Sequence, residues 1–136
     1  MRSLAFALSV AMIGVSTPAL AQDCAPTDDT QMCLNARAGA EYRAEDEKLN
    51  KAYGEIMKRL SDSPEDRKLL QTAQRAWIAF RDAECEFATN SSKGGSIYPM
   101  ALLGCKLSLA QARTEQLNAY LSCEQGDPAC PAALWQ

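Results

Sequence analysis

The segment from Leu69 to Cys85 spaces its apolar residues three or four positions apart. Leu70, Ala73, Trp77 and Phe80 all follow these steps, which bring residues onto one face of an α-helix. The spacing therefore predicts an amphipathic helix that packs Trp77 and Phe80 into a core. Trp77 and Arg81 stand four residues apart, which suits a cation–π contact.

Two further segments show helical spacing, and none alternates as a β-strand does. They run from Thr30 to Leu60 and from Pro99 to about Leu121. In the first segment, the residues at helical spacing are Tyr42, Asp46, Leu49, Tyr53, Ile56 and Leu60. In the second segment they are Leu103, Leu107, Ala110, Thr114, Leu117 and Leu121. Ser63-Pro64 separates the first two helices, because serine can cap a helix and proline suits its first position. The pattern predicts an all-α, antiparallel three-helix up-down-up bundle.

The N-terminus has the pattern of a cleavable signal peptide over residues 1–21. Arg2 precedes an apolar run from Leu4 to Val15, and Ala19-Leu20-Ala21 offers a cleavage site. A bilayer of about 30 Å needs roughly 20 apolar residues, so this run is too short to span it. We expect a helical domain over 22–122, an irregular tail over 123–136, and a periplasmic or secreted protein that is not a lipoprotein.

An even number of cysteines in a small exported chain indicates disulfides. The six are Cys24, Cys33, Cys85, Cys105, Cys123 and Cys130. An up-down-up bundle places the first four at one end and the last two at the other. Since distant Cα atoms cannot be bridged, Cys123 is expected to pair with Cys130. At the four-cysteine end we favour Cys24–Cys33 with Cys85–Cys105, and Cys33–Cys85 with Cys24–Cys105 is the open alternative.

The composition excludes several classes of function. The net charge is −3, and removal of Arg2 with the leader makes it −4. An acidic chain is poorly suited to nucleic acid and would be steered towards a cationic partner. The chain has no histidine and no C-x-x-C pair, which argues against zinc and against a histidine-activated nucleophile. We therefore predict a protein that is not an enzyme and has no cofactor, no metal and no membrane insertion.

Two polar regions stand out as possible binding surfaces. The segment from Thr89 to Tyr98 is a glycine-containing polar loop, and loops on a rigid scaffold often carry function. Its candidate partner-binding residues are Lys93, Gly94, Gly95, Ser96 and Tyr98. A plain connector is the equal alternative. The acidic runs, such as Glu45-Asp46-Glu47, are predicted to be solvated faces, because neighbours two apart point to different sides of a helix.

Several of these residues together resemble the LprI-type family of small exported bacterial proteins. The resemblance rests on Leu49-Asn50-x-x-Tyr53, on Gln74-Arg75-Ala76-Trp77 with Arg81-Asp82-Ala83-Glu84-Cys85, and on Gly94-Gly95-Ser96, Cys105 and Arg113-x-x-x-Leu117. Where related sequences carry a cysteine ahead of Leu49-Asn50, this chain has Arg37, and Cys33 lies one turn earlier. The resemblance implies a helical, disulfide-bonded fold in which Leu49, Asn50, Tyr53, Gln74, Trp77, Arg81 and Asp82 form the scaffold.

The family's named members are associated with inhibition of lysozyme, so the resemblance implies a lysozyme as the cationic partner. We expect an exported inhibitor that blocks the enzyme's active-site cleft with the loop around Lys93. The alternative is a non-enzymatic interaction or structural module of the cell envelope with no lysozyme role. Its candidate surface is the helix-one face around Glu45, Asp46 and Glu47.

Overall fold

The computed structural model of the protein describes residues 24–124, 126–127 and 129–132. Three α-helices account for most of this part of the chain: α1 (Gln31–Arg59), α2 (Pro64–Ala88) and α3 (Tyr98–Ser122). A turn of 3₁₀ helix, Asn90–Ser92, lies between α2 and α3, and the described residues contain no strand. The all-α prediction is confirmed. The predicted signal peptide over 1–21 and the end of the predicted tail lie outside the described residues.

The break between α1 and α2 lies where the sequence predicts it, at Ser63-Pro64, but one predicted contact is missing there. Ser63 occupies the N-cap of α2, Pro64 is its first residue, and Glu65 and Asp66 lie in its first turn. Acidic residues there favour the positive end of the helix dipole. The predicted serine cap is wrong in one respect, because the Ser63 side chain makes no capping hydrogen bond.

Contacts along the helices establish the up-down-up arrangement. At one end Asn35 of α1 donates to the carbonyl of Ser96, just before α3, and at the other Arg59 donates to the carbonyl of Leu121 at 2.7 Å. α1 and α3 therefore run parallel. α2 runs antiparallel to both, since Asp82 pairs with Lys106 near the start of α3.

The core lies mainly between α1 and α3. Its buried residues are Leu49, Ala52, Ile56, Leu60, Ala110, Leu117 and Ala132. Trp77 and Leu70 are the α2 residues that pack against it, and Ala132 brings the C-terminal tail onto it. No helix in the described part of the chain is long and apolar enough to cross a membrane.

One core prediction is wrong. Phe80 was expected to fill the core with Trp77, but its side chain is 54% exposed. The buried positions of α2 are Gln74, Arg81 and Cys85, so the face that meets the other helices is centred on these residues. Phe80 lies to one side of this face and points to solvent. Apolar spacing located the stripe but could not tell which part of it a neighbouring helix covers.

The disulfides follow the favoured pairing. Cys24 is bonded to Cys33, Cys85 to Cys105, and Cys123 to Cys130. The crossed alternative is excluded. Disulfides of this kind are typical of proteins outside the cytoplasm.

Candidate functional site

The loop between α2 and α3 is a compact series of turns at the four-cysteine end. After the 3₁₀ turn the backbone N–H of Gly95 donates to the carbonyl of Ser92, and that of Tyr98 donates to the carbonyl of Gly95. Gly94 has a φ of 85°, which favours glycine because it has no Cβ. The polar, glycine-containing segment is therefore a shaped loop.

Both sides of the loop are tied to the helices. The Cys85–Cys105 disulfide joins the end of α2 to the start of α3. The Asn35 side-chain amide of α1 donates to the carbonyl of Ser96 at 3.0 Å. Beneath the 3₁₀ turn, the buried Thr89 hydroxyl donates to the carbonyl of Cys85, which ties the start of the loop to the last turn of α2.

The predicted loop residues divide into two groups. Lys93, Gly94, Gly95 and Ser96 are exposed and close in sequence on the outer part of the loop. Tyr98 is instead the first residue of α3 and is half-buried. The structure thus offers an ammonium, a hydroxyl and open glycine backbone to a partner, with the tyrosine at the edge of this surface.

Sequence reasoning missed three large apolar side chains at this end of the molecule. Phe87, in the last turn of α2, is 80% exposed, and Ile97, just before α3, is 46% exposed. Met32, at the start of α1, is 51% exposed. Exposed apolar groups around a polar loop are typical of interaction surfaces. No sequence signal indicated the exposure of Phe87, because it lies seven residues after Phe80 and so shares the face of a residue that the spacing assigned to the core.

The motif around Trp77 builds a cation–π cluster. The guanidinium carbon of Arg81 lies 5.3 Å from the centre of the Trp77 ring and 5.8 Å from that of Tyr42 on α1. Arg81 also lies 3.8 Å from the Asp46 carboxylate, the partner on helix one that the sequence suggested. The predicted contact between Trp77 and Arg81 is present, and it joins α2 to α1.

Asp82 extends this cluster to α3. Its Oδ1 atom accepts from Arg81 at 2.9 Å and from Lys106 at 3.0 Å. Burial disfavours the charged carboxylate, but hydrogen bonds from Lys106 and Arg81 outweigh it and hold the pKa of Asp82 below its ordinary value. Burial likewise raises the pKa of Tyr42. The cluster therefore connects all three helices through charge-assisted contacts.

The other motif residues also have identifiable contacts. Leu49 is fully buried in the core, and Tyr53 packs against it. Asn50 donates to Asp46 at 2.9 Å, which orients the carboxylate that faces Arg81. Gln74 is buried and accepts from Arg113 of α3 at 3.1 Å.

Arg113 lines an open groove between the start of α2 and the C-terminal tail. The groove has a volume of about 500 Å³. Its walls include Ile56, Leu60, Leu69, Leu70, Ala73, Tyr120, Ala129 and Pro131. Burial lowers the pKa of the Arg113 guanidinium, which is held by Gln74 and Gln116. The sequence did not indicate this groove, because it forms only where the tail returns to α2.

The acidic run on α1 is not the solvated face that was predicted. Glu45 is buried and pairs with Lys48 at 3.1 Å. The neighbouring Thr114 hydroxyl, and after it the hydrogen bond and charge of Lys48, lower the pKa of Glu45 although burial opposes them. Asp46 is engaged with Arg81 and Asn50, so Glu47 alone of the three is exposed. The packing of α1 against α2 and α3 thus occupies the surface proposed for an envelope partner.

Among the described residues, no group of three or more Cys, Asp or Glu side chains is placed to hold a metal ion. The ion pairs, hydrogen bonds and cation–π contacts of the motif residues join the helices to one another, and the contacts of Asn35 and Thr89 support the loop. The arrangement is that of a rigid scaffold presenting a loop and apolar side chains.

Comparison with known proteins places this arrangement in a family. An uncharacterized protein of Rhizobium meliloti (strain 1021) is 36% identical, with 89% of this chain and 96% of that protein covered. The uncharacterized protein YecT of Escherichia coli (strain K12) is 31% identical over 75% of this chain and 72% of its own length.

A crystal structure also shares the fold. It is that of a DUF1311 family protein of Pseudomonas putida KT2440, which superposes with a TM-score of 0.64 at 24% identity. The match covers 70% of this chain and 97% of that one. The family described as "Lysozyme inhibitor LprI" matches residues 21–117, which include α1, α2, the loop and most of α3. The chain therefore belongs to the LprI family.

Proposed function

We propose that this protein is an exported, non-catalytic inhibitor of lysozyme that blocks the enzyme's active-site cleft. Its family's description and the rigid, exposed loop from Lys93 to Ile97 support this proposal. The observation that carries it is the double attachment of the loop through Cys85–Cys105 and Asn35–Ser96. A loop ordered before binding loses less conformational entropy on association.

The chemistry of the loop matches that of the cleft. Lysozyme cleaves its substrate with two carboxyl groups that lie across the scissile bond. An ammonium such as that of Lys93 can approach these groups, while the Ser96 hydroxyl and exposed glycine backbone take the place of sugar hydroxyls. The apolar side chain of Ile97, beside the loop, would be covered at the rim of the cleft.

Long-range charge would assist the encounter. The chain carries 17 acidic and 14 basic residues, and the partner proposed for it is a basic lysozyme. Opposite net charges accelerate association and make its rate depend on salt. We therefore expect the net negative charge of the chain to attract lysozyme over long range, and the loop around Lys93 to recognise the cleft.

The test is a lytic assay with the mature, disulfide-bonded chain and a basic lysozyme. We expect inhibition by the wild type and at least about tenfold weaker inhibition by the Lys93→Ala/Ser96→Ala variant, equivalent to about 1.4 kcal/mol of binding. Lys51→Ala is the matched control, because Lys51 is an exposed lysine on α1 far along the chain from the loop. It should inhibit as the wild type does.

Two outcomes would contradict the proposal in different ways. Full inhibition by the double variant would refute the loop as the contact surface. No inhibition by the wild type at large molar excess, with no co-elution in gel filtration, would refute lysozyme as the partner. It would favour the envelope module instead.

A further inference from the structure

α2 carries an apolar stripe on the side that faces solvent. From Leu69 to Phe87 the apolar residues are separated by steps of four, three, four, three and four. They are Leu69, Ala73, Ala76, Phe80, Ala83 and Phe87, and all six are exposed. This alternation is the spacing of a seam along which two helices pack. We call these six residues the α2 stripe.

The exposure of the large members is unusual for a solvated helix. Leu69 is 68% exposed, Phe80 54% and Phe87 80%. The stripe spans 18 residue steps, or about 27 Å at 1.5 Å per residue. Extended apolar patches on a soluble protein mark sites of association. The three alanines would let a second helix approach closely, with Phe80 and the terminal residues as large contacts.

The stripe is symmetric about residue 78. If a second copy is laid antiparallel across it with the two-fold axis there, Leu69 faces Phe87 of the second copy. By the same relation Ala73 faces Ala83, and Ala76 faces Phe80. Phe80 then meets an alanine, and Leu69 meets Phe87 from the opposite end of the second copy's stripe. Such self-complementarity is what a two-fold interface requires.

The groove beside the stripe supports the same arrangement. Leu69 and Ala73 form part of the wall of the 500 Å³ groove that the tail residues Ala129 and Pro131 complete. In the antiparallel arrangement this is the position that Phe87 of the second copy reaches. The most exposed of the apolar side chains would thereby meet an apolar groove large enough to receive a phenyl ring.

Charges flanking the stripe favour the antiparallel arrangement. Lys68 precedes the stripe and Glu86 lies at its far end, both are exposed, and neither makes an ion pair with a residue that the structure describes. Antiparallel packing brings Lys68 to Glu86 of the second copy on both sides of the two-fold axis.

We infer that the α2 stripe is a homodimer interface in which two copies pair antiparallel through Leu69, Phe80 and Phe87. One helix pair is small beside a standard interface of about 800 Å² per partner, so we expect a reversible dimer with a dissociation constant on the order of micromolar. The interface is separate in sequence from the outer loop around Lys93. It leaves that loop free for a different partner.

Sedimentation equilibrium of the mature, disulfide-bonded chain over a wide concentration range tests this inference without lysozyme. The mass should rise from that of a monomer to that of a dimer. Phe80→Glu should abolish this rise, whereas Ile78→Glu should leave it intact. Ile78 is the matched control, because it is an exposed apolar residue of α2 outside the stripe.

Charge exchange tests the orientation of the two copies. Lys68→Glu and Glu86→Lys should each weaken dimerisation by about tenfold, on the order of the coupling of a close charge pair. The Lys68→Glu/Glu86→Lys double variant should restore it. A monomer at every concentration, equal effects of Phe80→Glu and Ile78→Glu, or a double variant no better than the single ones would each overturn the inference. Loss of lysozyme inhibition in Phe80→Glu, with a monomeric wild type, would assign the stripe to lysozyme instead.

Discussion

The guanidinium carbon of Arg81 lies 5.3 Å from the centre of the Trp77 ring, and Tyr42 of α1 approaches the same guanidinium at 5.8 Å. One side chain of α2 thus contacts an aromatic residue of its own helix and another of α1. Its carboxylate partners, Asp46 and Asp82, compensate the charge. This cluster joins α2 to the rest of the bundle, because α2 supplies few apolar residues to the core.

We expect Arg81→Ala to lower the free energy of unfolding by about 2–4 kcal/mol, since it removes a buried, paired charge and its aromatic contacts. Arg81→Lys should recover only part of the loss, because an ammonium lacks the planar fork of a guanidinium. Urea denaturation monitored by circular dichroism measures both. Arg75→Ala, at an exposed arginine of the same helix, is the control and should change stability little. Equal losses at the two positions would contradict the role given to the cluster.

The Asp82 carboxylate makes stability depend on pH in a defined direction. Its pKa is lowered in the folded protein, so its contribution is present above the unfolded value of about 3.9 and is lost as the pH falls through the lower folded value. Because the side chain is 44% exposed, we expect Asp82→Asn to cost only about 0.5–1 kcal/mol at neutral pH.

Thermal unfolding of wild type and Asp82→Asn, followed from neutral pH to below about pH 3, tests this linkage. The difference in stability between the two should shrink on acidification. Glu47→Gln, at an exposed carboxylate of α1, is the matched control for the loss of one negative charge. A difference for Asp82→Asn that stays constant across the range would refute the assigned cause.

The largest and the smallest disulfide loops allow effects on stability to be separated from effects on function. Cys85 and Cys105 are 20 residues apart, and loop-closure entropy alone predicts a loss of about 3 kcal/mol for Cys85→Ala/Cys105→Ala. Cys123 and Cys130 are 7 apart, which predicts about 2 kcal/mol for their double alanine variant. If the loop around Lys93 is the inhibitory element, only the first variant should lose inhibition when both are assayed well below their unfolding temperatures. Equal inhibition by both variants would mean that the Cys85–Cys105 disulfide is not needed for inhibition.

The sequence alone determined the helices and the order in which they run. It predicted the Cys123–Cys130 pair and favoured Cys24–Cys33 with Cys85–Cys105, but only the structure excluded the crossed alternative. Helical spacing is a local property, and proline or serine at a helix start acts within a few residues of its own position. The up-down-up arrangement then followed from the short links, and it divided the cysteines into four at one end of the bundle and two at the other. Trp77 and Arg81 were likewise predictable, since residues four apart on a helix must be neighbours.

Only the tertiary structure decided which faces of the helices are covered. Phe80 follows the same spacing as Trp77 yet lies in solvent, whereas Glu45 belongs to an acidic run yet is buried beside Thr114 and Lys48. A helix of given periodicity can turn any part of a wide apolar stripe towards its neighbours. The choice depends on the summed packing of all three helices and the tail. The exposed α2 stripe and the groove at Leu69 result from that choice, which no local pattern encodes.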